Sequence, residues 1–450
     1  MTNQKIDIEE LLTNLYNSFD PFQPLPAGDP LYVDCKKVRG DGDVLVDLGR
    51  KIKRSNRMTC QLYAGHRGAG KSTELLRLKQ HLESQKIFVV YFAADEQDID
   101  AEDAEYTDIL LACTRHLLQD LKDVAEPNSV VNWLKDRWQE LKDLALTEID
   151  FEKATIDVKI SAFAKLTANL RAVPTLRQQI RQKINPHTVT LIKVLNDFID
   201  DAKKNLPNGC TELAVIVDNL DRIVPVIQED KRTNHDHIFI DRSEQLKALN
   251  CHIIYTVPIS MVYSHRAAYL REFYTAPQVL PMIMVQKPDG SKYEPGFEKI
   301  KELIIKRVEK FAPNISLETD LFDSEETLNQ LCIMSGGHVR NLLLLIQSAF
   351  DYTDDLPIPR NAIRRSITDA RDIYRKTVDD NQWIRLAEVA FSREVPNDDN
   401  YRSLMFNRCI LEYCYYDDEG EKRRWYDVHP LIKGTPEFKK AVESISQKVQ

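Results

Sequence analysis

The apolar positions change period several times along the chain. Met58 to Tyr63 is a short apolar run, and Ser72 to Gln85 carry a helical repeat. Ile87 to Ala93 is a second apolar run. Strand, glycine-bearing loop, helix and strand in this order predict a βαβ unit with parallel strands and a right-handed crossover. Ahead of it, residues 1–57 read as an arm, broken at Asp20-Pro21-Phe22-Gln23-Pro24-Leu25-Pro26.

The strand pattern then stops for more than a hundred residues. Helical spacing runs through Ile109, Leu110, Leu117, Leu118 and Leu121. Ile156, Val158 and Ile160 alternate with polar residues, which predicts a short strand among the helices. About residues 96–210 therefore form a mainly helical insertion. The core resumes with apolar runs at Leu213–Asp218, Cys251–Val257 and Gln278–Val285. Runs of this kind suit strands buried on both faces. Five of them predict an α/β fold with a doubly wound parallel sheet, occupying residues 58–295 with the insertion.

From 296 to 378 the pattern is helical, around Phe297–Phe311, Glu325–Met334, Val339–Phe350 and Asn361–Val378, a four-helix lid. In 379–450, Trp383, Leu386 and Val389 share a helix face. Ile410–Tyr416 and Arg424–Val428 flank the turn Asp417-Asp418-Glu419-Gly420 and predict a β-hairpin. Helix, helix and hairpin outline a winged helix.

Charge changes the picture in two places. Residues 95–108 hold eight carboxylates and no Lys or Arg, whereas 159–204 hold nine Lys/Arg against three Asp. Over all 450 residues the net charge is −9, which argues against a chain that coats nucleic acid as a whole. The balanced winged helix, with eleven Lys/Arg and twelve Asp/Glu in 381–450, does not favour DNA either. No apolar signal region opens the chain, and no run approaches a membrane span of about 20 residues. Eight irregularly spaced cysteines read as reduced thiols of a cytoplasmic protein.

The sharpest chemistry lies at Gly65-His66-Arg67-Gly68-Ala69-Gly70-Lys71-Ser72, between the first strand and the first core helix. Its glycines free the backbone to aim N–H groups at phosphates, and the following helix adds its positive end. Lys71 supplies a charge to the outer phosphates, Ser72 a hydroxyl for Mg2+, and Thr73 extends the nucleotide-binding set. The run Leu213-Ala214-Val215-Ile216-Val217-Asp218 is the second element, a buried strand ending in a carboxylate suited to Mg2+ through water. ATP with Mg2+ is the expected ligand.

A phosphate loop, a later Asp-ending strand and a helical lid resemble the STAND and AAA+ branches of the P-loop NTPases, including NACHT-like and initiator-type members. The spacing in Val217-Asp218-Asn219-Leu220-Asp221 is more similar to STAND proteins. The resemblance implies a slow ATPase acting as a switch in bacterial defence or signalling. Asp221 would then orient the attacking water, with Asp95 and Glu96 as alternatives. By position, Thr256 matches sensor 1, and Arg340 in Gly336-Gly337-His338-Val339-Arg340 matches sensor 2. Arg271 or Arg266 matches an arginine finger of a nucleotide-dependent homo-oligomer. Tyr32, Val33 and Arg39-Gly40 fall where relatives cradle adenine. An unidentified protein partner is implied. The alternative reading is a DNA-binding regulator of initiator or transposition type, using residues 159–204 and the winged helix. His429 reads as a structural residue.

Overall fold

The structure, a computed structural model, describes residues 8–144 and 154–449. The longer helices are Ile8–Ser18 (α1), Lys71–Ser84 (α2), Tyr106–Leu121 (α3), Asn128–Leu141 (α4), Ile156–Ala172 (α5), Pro174–Ile184 (α6), Thr188–Ala202 (α7) and Ala267–Tyr274 (α8). They continue with Glu294–Glu309 (α9), Glu325–Ser335 (α10), Val339–Phe350 (α11), Arg360–Arg375 (α12), Trp383–Ser392 (α13), Asp399–Phe406 (α14) and Pro436–Val449 (α15). The strands are Cys60–Gly65 (β1), Ile87–Ala93 (β2), Glu212–Asp218 (β3), His252–Val257 (β4), Gln278–Leu280 (β5), Ile410–Tyr416 (β6) and Lys422–Val428 (β7).

The chain gathers into two compact units. One comprises Val44–Ala64 and Leu75–Val279, here the sheet unit; the other comprises Met1–Asp43, Gly65–Glu74 and Leu280–Gln450, here the loop unit. A five-stranded sheet has the order β2-β3-β4-β1-β5. The pairs β2·β3, β3·β4 and β4·β1 are parallel. Val217 lies opposite Tyr255, and Thr256 opposite Tyr63. Asp218 therefore leaves its strand beside Thr256, at the carboxyl edge of the sheet.

The sheet unit owes its core to the apolar runs read from the sequence. Leu62, Val90, Phe92, Val215, Val217, Ile253 and Tyr255 are buried together with Ile109, Leu117, Phe163, Leu191 and Phe198 of the insertion helices. Ile156, Val158 and Ile160, expected as a strand, begin helix α5 instead. Their alternation is local: Phe163, Leu166 and Leu170 continue at helical spacing and are buried, while Ile156 and Val158 stay exposed. β5 ends at Leu280, short of the expected Val285, because Pro281 carries no N–H for a ladder bond.

The acidic and basic runs find each other inside this unit. Arg177, at 2% exposure, bonds Asp103 at 2.8 Å and also Asp100. Arg181 meets Asp108 at 3.0 Å through Nε and Asp103 at 2.8 Å through Nη1. Burial raises Asp108 above the usual carboxylate range even against Arg181. Burial also pushes Asp103 up, but the hydrogen bonds from Arg181 and Arg177 outweigh it and hold Asp103 low. These two arginines of the basic run are thus internal partners and present no free cationic surface.

In the loop unit, α1 lies against α9 and α11, with Leu15 and Phe19 buried and the Phe19 ring 6.1 Å from Phe350. The segment expected as an arm is therefore docked on this unit through its first helix. The helices α9 to α12 follow the expected pattern. The hairpin β6–β7 is antiparallel, with Tyr413 stacked on Trp425 at 4.6 Å. All eight cysteines are free. Among the described residues, no helix is long and apolar enough to cross a membrane.

Candidate functional site

The phosphate-loop sequence sits between β1 and the first turn of α2, as its glycines require. Gly65, Gly68 and Gly70 have φ of 152°, 90° and 105°. At Gly68 a side chain is excluded twice over, because a Cβ would also lie 2.6 Å from Cε1 of His338. Lys71, at 5% exposure, curls back so that Nζ donates to the carbonyls of Gly65 at 2.8 Å and His66 at 3.0 Å. Ser72 and Thr73 are half-buried on the first turn of α2, and Thr73 Oγ1 accepts the Leu25 N–H at 3.2 Å.

The outer carbonyls of the loop are also occupied. His338 Nε2 meets the Arg67 carbonyl at 2.8 Å, and the Arg340 N–H donates to the Gly68 carbonyl at 3.2 Å. Arg39 Nη2 donates to the Ala69 carbonyl at 2.9 Å. From the hairpin, the Glu412 N–H donates to His66 Nε2 at 3.1 Å. Burial, then Lys71 and Arg408, hold His66 down to about 3, so its ring is neutral. Arg340, Arg39, Tyr32 and Val33 all belong to the loop unit with residues 65–73. Tyr32 donates its hydroxyl to Glu74 at 3.1 Å.

The carboxylates expected to work with the loop belong to the sheet unit. Asp218, 1% exposed, accepts from the Tyr91 hydroxyl at 2.8 Å and the Asn219 N–H at 2.7 Å. Asn219 turns the chain at φ 64°, and its amide donates to Asp95 at 2.7 Å. Asp95 also pairs with Arg222 at 2.6 Å. Asp221 is buried and Glu96 is exposed. Thr256 is buried; its Oγ1 accepts the Leu220 N–H at 2.9 Å and pins the turn that carries Asp221.

The two arginines between β4 and β5 differ. Arg266 pairs with Asp241 at 3.3 Å and lies over Tyr269, 5.4 Å from the ring centroid. Arg271, on α8, is exposed. His429 is fully buried, caps its own short helix through the Leu431 N–H at 3.2 Å, and meets the Asn341 amide at 2.7 Å. Sequence reasoning passed over His338 and the Arg39–Ala69 contact. The only signal was adjacency: His338 stands between the paired glycines and Arg340.

No protein-family model and no curated protein matches the chain. Among solved structures it is similar to the ORC2 protein of Aeropyrum pernix in ADPNP–ADP complexes, at 9% identity over 96% of this chain and 98% of that one, TM-score 0.42. Cdc6p from Pyrobaculum aerophilum is similar at 10% identity over 95% and 98%, TM-score 0.40. A Walker-type ATPase of Pyrococcus abyssi is similar at 11% identity over 95% and 99%, TM-score 0.40. Likenesses this distant carry no argument about this chain, whose chemistry rests on its own residues.

Proposed function

We propose that this protein binds ATP with Mg2+ and acts as a nucleotide-dependent switch, hydrolysing ATP slowly. One observation carries the reading: residues 65–72 join a buried strand to a helix N-terminus, with three glycines at positive φ and Lys71 folded over the loop. Backbone N–H groups, a helix end and one lysine are the donors that a polyphosphate needs. The donor set also fits the metal, since Mg2+ prefers hard oxygen ligands: the Ser72 hydroxyl and, through water, Asp218 would hold it. Bound Mg2+ would neutralise charge on the phosphates.

In this reading Asp221 accepts the proton of the attacking water as its oxygen joins the γ-phosphorus and ADP leaves. Asp95, tied to Asn219 and Arg222, suits that role less. Arg340 senses the nucleotide from the start of α11. Residues 296–378 act as the lid, and 379–450 as a winged helix serving internal packing. Arg271 is the better finger candidate for an ATP-dependent homo-oligomer, since Arg266 is engaged within its own chain. The setting is cytoplasmic, with a protein partner as trigger. The DNA-binding alternative loses support because Arg177 and Arg181 are consumed internally.

Calorimetric titration tests the reading. Lys71→Ala should weaken Mg·ATP at least tenfold, about 1.4 kcal/mol; equal affinities would overturn it. Asp221→Asn should bind normally and lose turnover, and loss in Glu96→Gln instead would move the base to the end of β2. Arg271→Ala should lower turnover and ATP-dependent self-association together, and unchanged light scattering and turnover would remove the finger. Tight duplex DNA binding at ~150 mM salt would favour the alternative.

A further inference from the structure

We infer that His338 is a positioning residue for the phosphate loop, holding the Arg67 carbonyl so that the adjoining Gly68 N–H faces the bound anion. The inference rests on the nucleotide-binding reading and names a residue behind the loop that sets its affinity.

The ring's two nitrogens have distinct tasks. Nδ1 accepts the Asn341 N–H at 3.0 Å and caps helix α11. A nitrogen that accepts carries no proton, so the neutral ring bears its hydrogen on Nε2. Nε2–H then donates to the Arg67 carbonyl at 2.8 Å. Burial, reinforced by Arg408, keeps the ring neutral by pushing its pKa well below the ordinary value. The nearby His429 and His66 rings are held neutral by burial as well.

Peptide planarity converts this contact into aim. In a trans peptide the N–H points opposite to the C=O, so fixing the Arg67 carbonyl fixes the direction of the Gly68 N–H. The same logic applies one step on, where Arg39 holds the Ala69 carbonyl and thereby directs the Gly70 N–H. Between them the Arg340 N–H holds the Gly68 carbonyl, and the Ala69 N–H is used within the loop, on the His66 carbonyl at 3.1 Å. The amides of Gly68 and Gly70 are thus turned away from His338 and Arg39, while that of Ala69 is already used within the loop. Gly68 and His338 are a matched pair, because only a residue without Cβ lets the ring come this close.

Two substitutions separate the ring's tasks. His338→Asn keeps an acceptor near the Nδ1 position and loses the donor; His338→Gln places an amide donor near Nε2 and loses the cap. His338→Asn should keep its melting temperature and bind Mg·ATPγS about fivefold more weakly, the range one hydrogen bond supplies. His338→Gln should melt earlier yet bind within about twofold of wild type, well inside that single-bond range. Wild-type affinity in His338→Asn, or equal weakening in both variants, would overturn the inference. Lys71→Ala, measured alongside, keeps the failures apart. If it binds normally, the nucleotide reading is wrong; if it loses binding while His338→Asn does not, only the positioning role falls. Should neither His338 variant fold, nitrogen-15 imidazole spectra of the wild type decide. The Nε2–H tautomer of His338, with a proton resonance that moves on adding Mg·ATPγS, supports the role. An Nδ1–H tautomer, or a resonance that stays put, refutes it.

Discussion

The surroundings of the phosphate loop and the helical insertion bury polar groups in opposite ways. Around the loop, where the cations Lys71 and Arg39 donate to backbone carbonyls, the buried histidines are neutral: His66, His338 and His429 are held uncharged by burial and by Arg408. They bond to backbone amides and carbonyls and to the Asn341 amide. In the insertion the buried groups are paired charges, with Arg177 and Arg181 locked to Asp100, Asp103 and Asp108. A neutral hydrogen bond contributes about 1 kcal/mol net and can exchange partners. Separating a buried ion pair strands charge at a cost of several kcal/mol. The first arrangement suits a region that must respond to a ligand, the second a scaffold that must not move.

Acid should produce the largest difference. His66 and His429 titrate at about 3 in the folded chain against an ordinary 6.5. The unfolded chain therefore takes up protons first as pH falls, and the stability these rings contribute is complete above their ordinary value and lost on the way down. At pH 5 keeping His66 and His429 neutral costs about 2 kcal/mol each, and His338, also held well below its ordinary value, adds to the loss. Asp103, held low, keeps its contribution until well below that pH, while Asp108, raised by burial, partly offsets it. Hydrogen exchange corrected for intrinsic rates should show residues 65–74 and 405–430 losing protection between pH 7.5 and 5, ahead of 100–121. Simultaneous loss would break the comparison.

Arg181→Met should come next, costing about 3–5 kcal/mol by leaving Asp108 buried without its cation. The loss should appear in denaturant titrations and in exchange of residues 100–121 and 174–184. Arg181→Met with Asp108→Asn should recover part of it. A cost under ~1 kcal/mol would place the pair among surface bridges in energy.

Nucleotide should have the smallest and most local effect. Mg·ATP at about a hundred times its dissociation constant adds about 2.7 kcal/mol to whatever it holds folded. Protection should rise in residues 65–74 and 336–342 and stay level in 156–202. An equal rise in the insertion would make it part of the responding machinery.

Much of this was legible in the chain itself. The loop between β1 and α2, the strand ending at Asp218, the first four core strand runs and the helices of 294–375 appear where hydrophobic period and glycine spacing place them, while the fifth run is cut short at Leu280 by Pro281. The strand expected at Ile156–Ile160 was not, because three alternating residues cannot outvote the helical repeat through Leu170. The basic run misled for a different reason. Charge counts show how many arginines lie in 159–204, but not that Arg177 and Arg181 face carboxylates some seventy residues earlier.

The sequence by itself determined the backbone conformation of the loop, since glycines at 65, 68 and 70 permit positive φ angles that other residues would resist. It also determined the strands β2, β3 and β4, because their apolar runs must be buried on both faces. Only tertiary structure decided what stands behind the loop. His338 and Arg39 are 271 and 30 residues away from the carbonyls they hold. Hydrogen bonds over such separations follow from how helices pack and not from any local preference of the residues. The same packing chose the tautomer of His338, by setting an amide against one nitrogen and a carbonyl against the other.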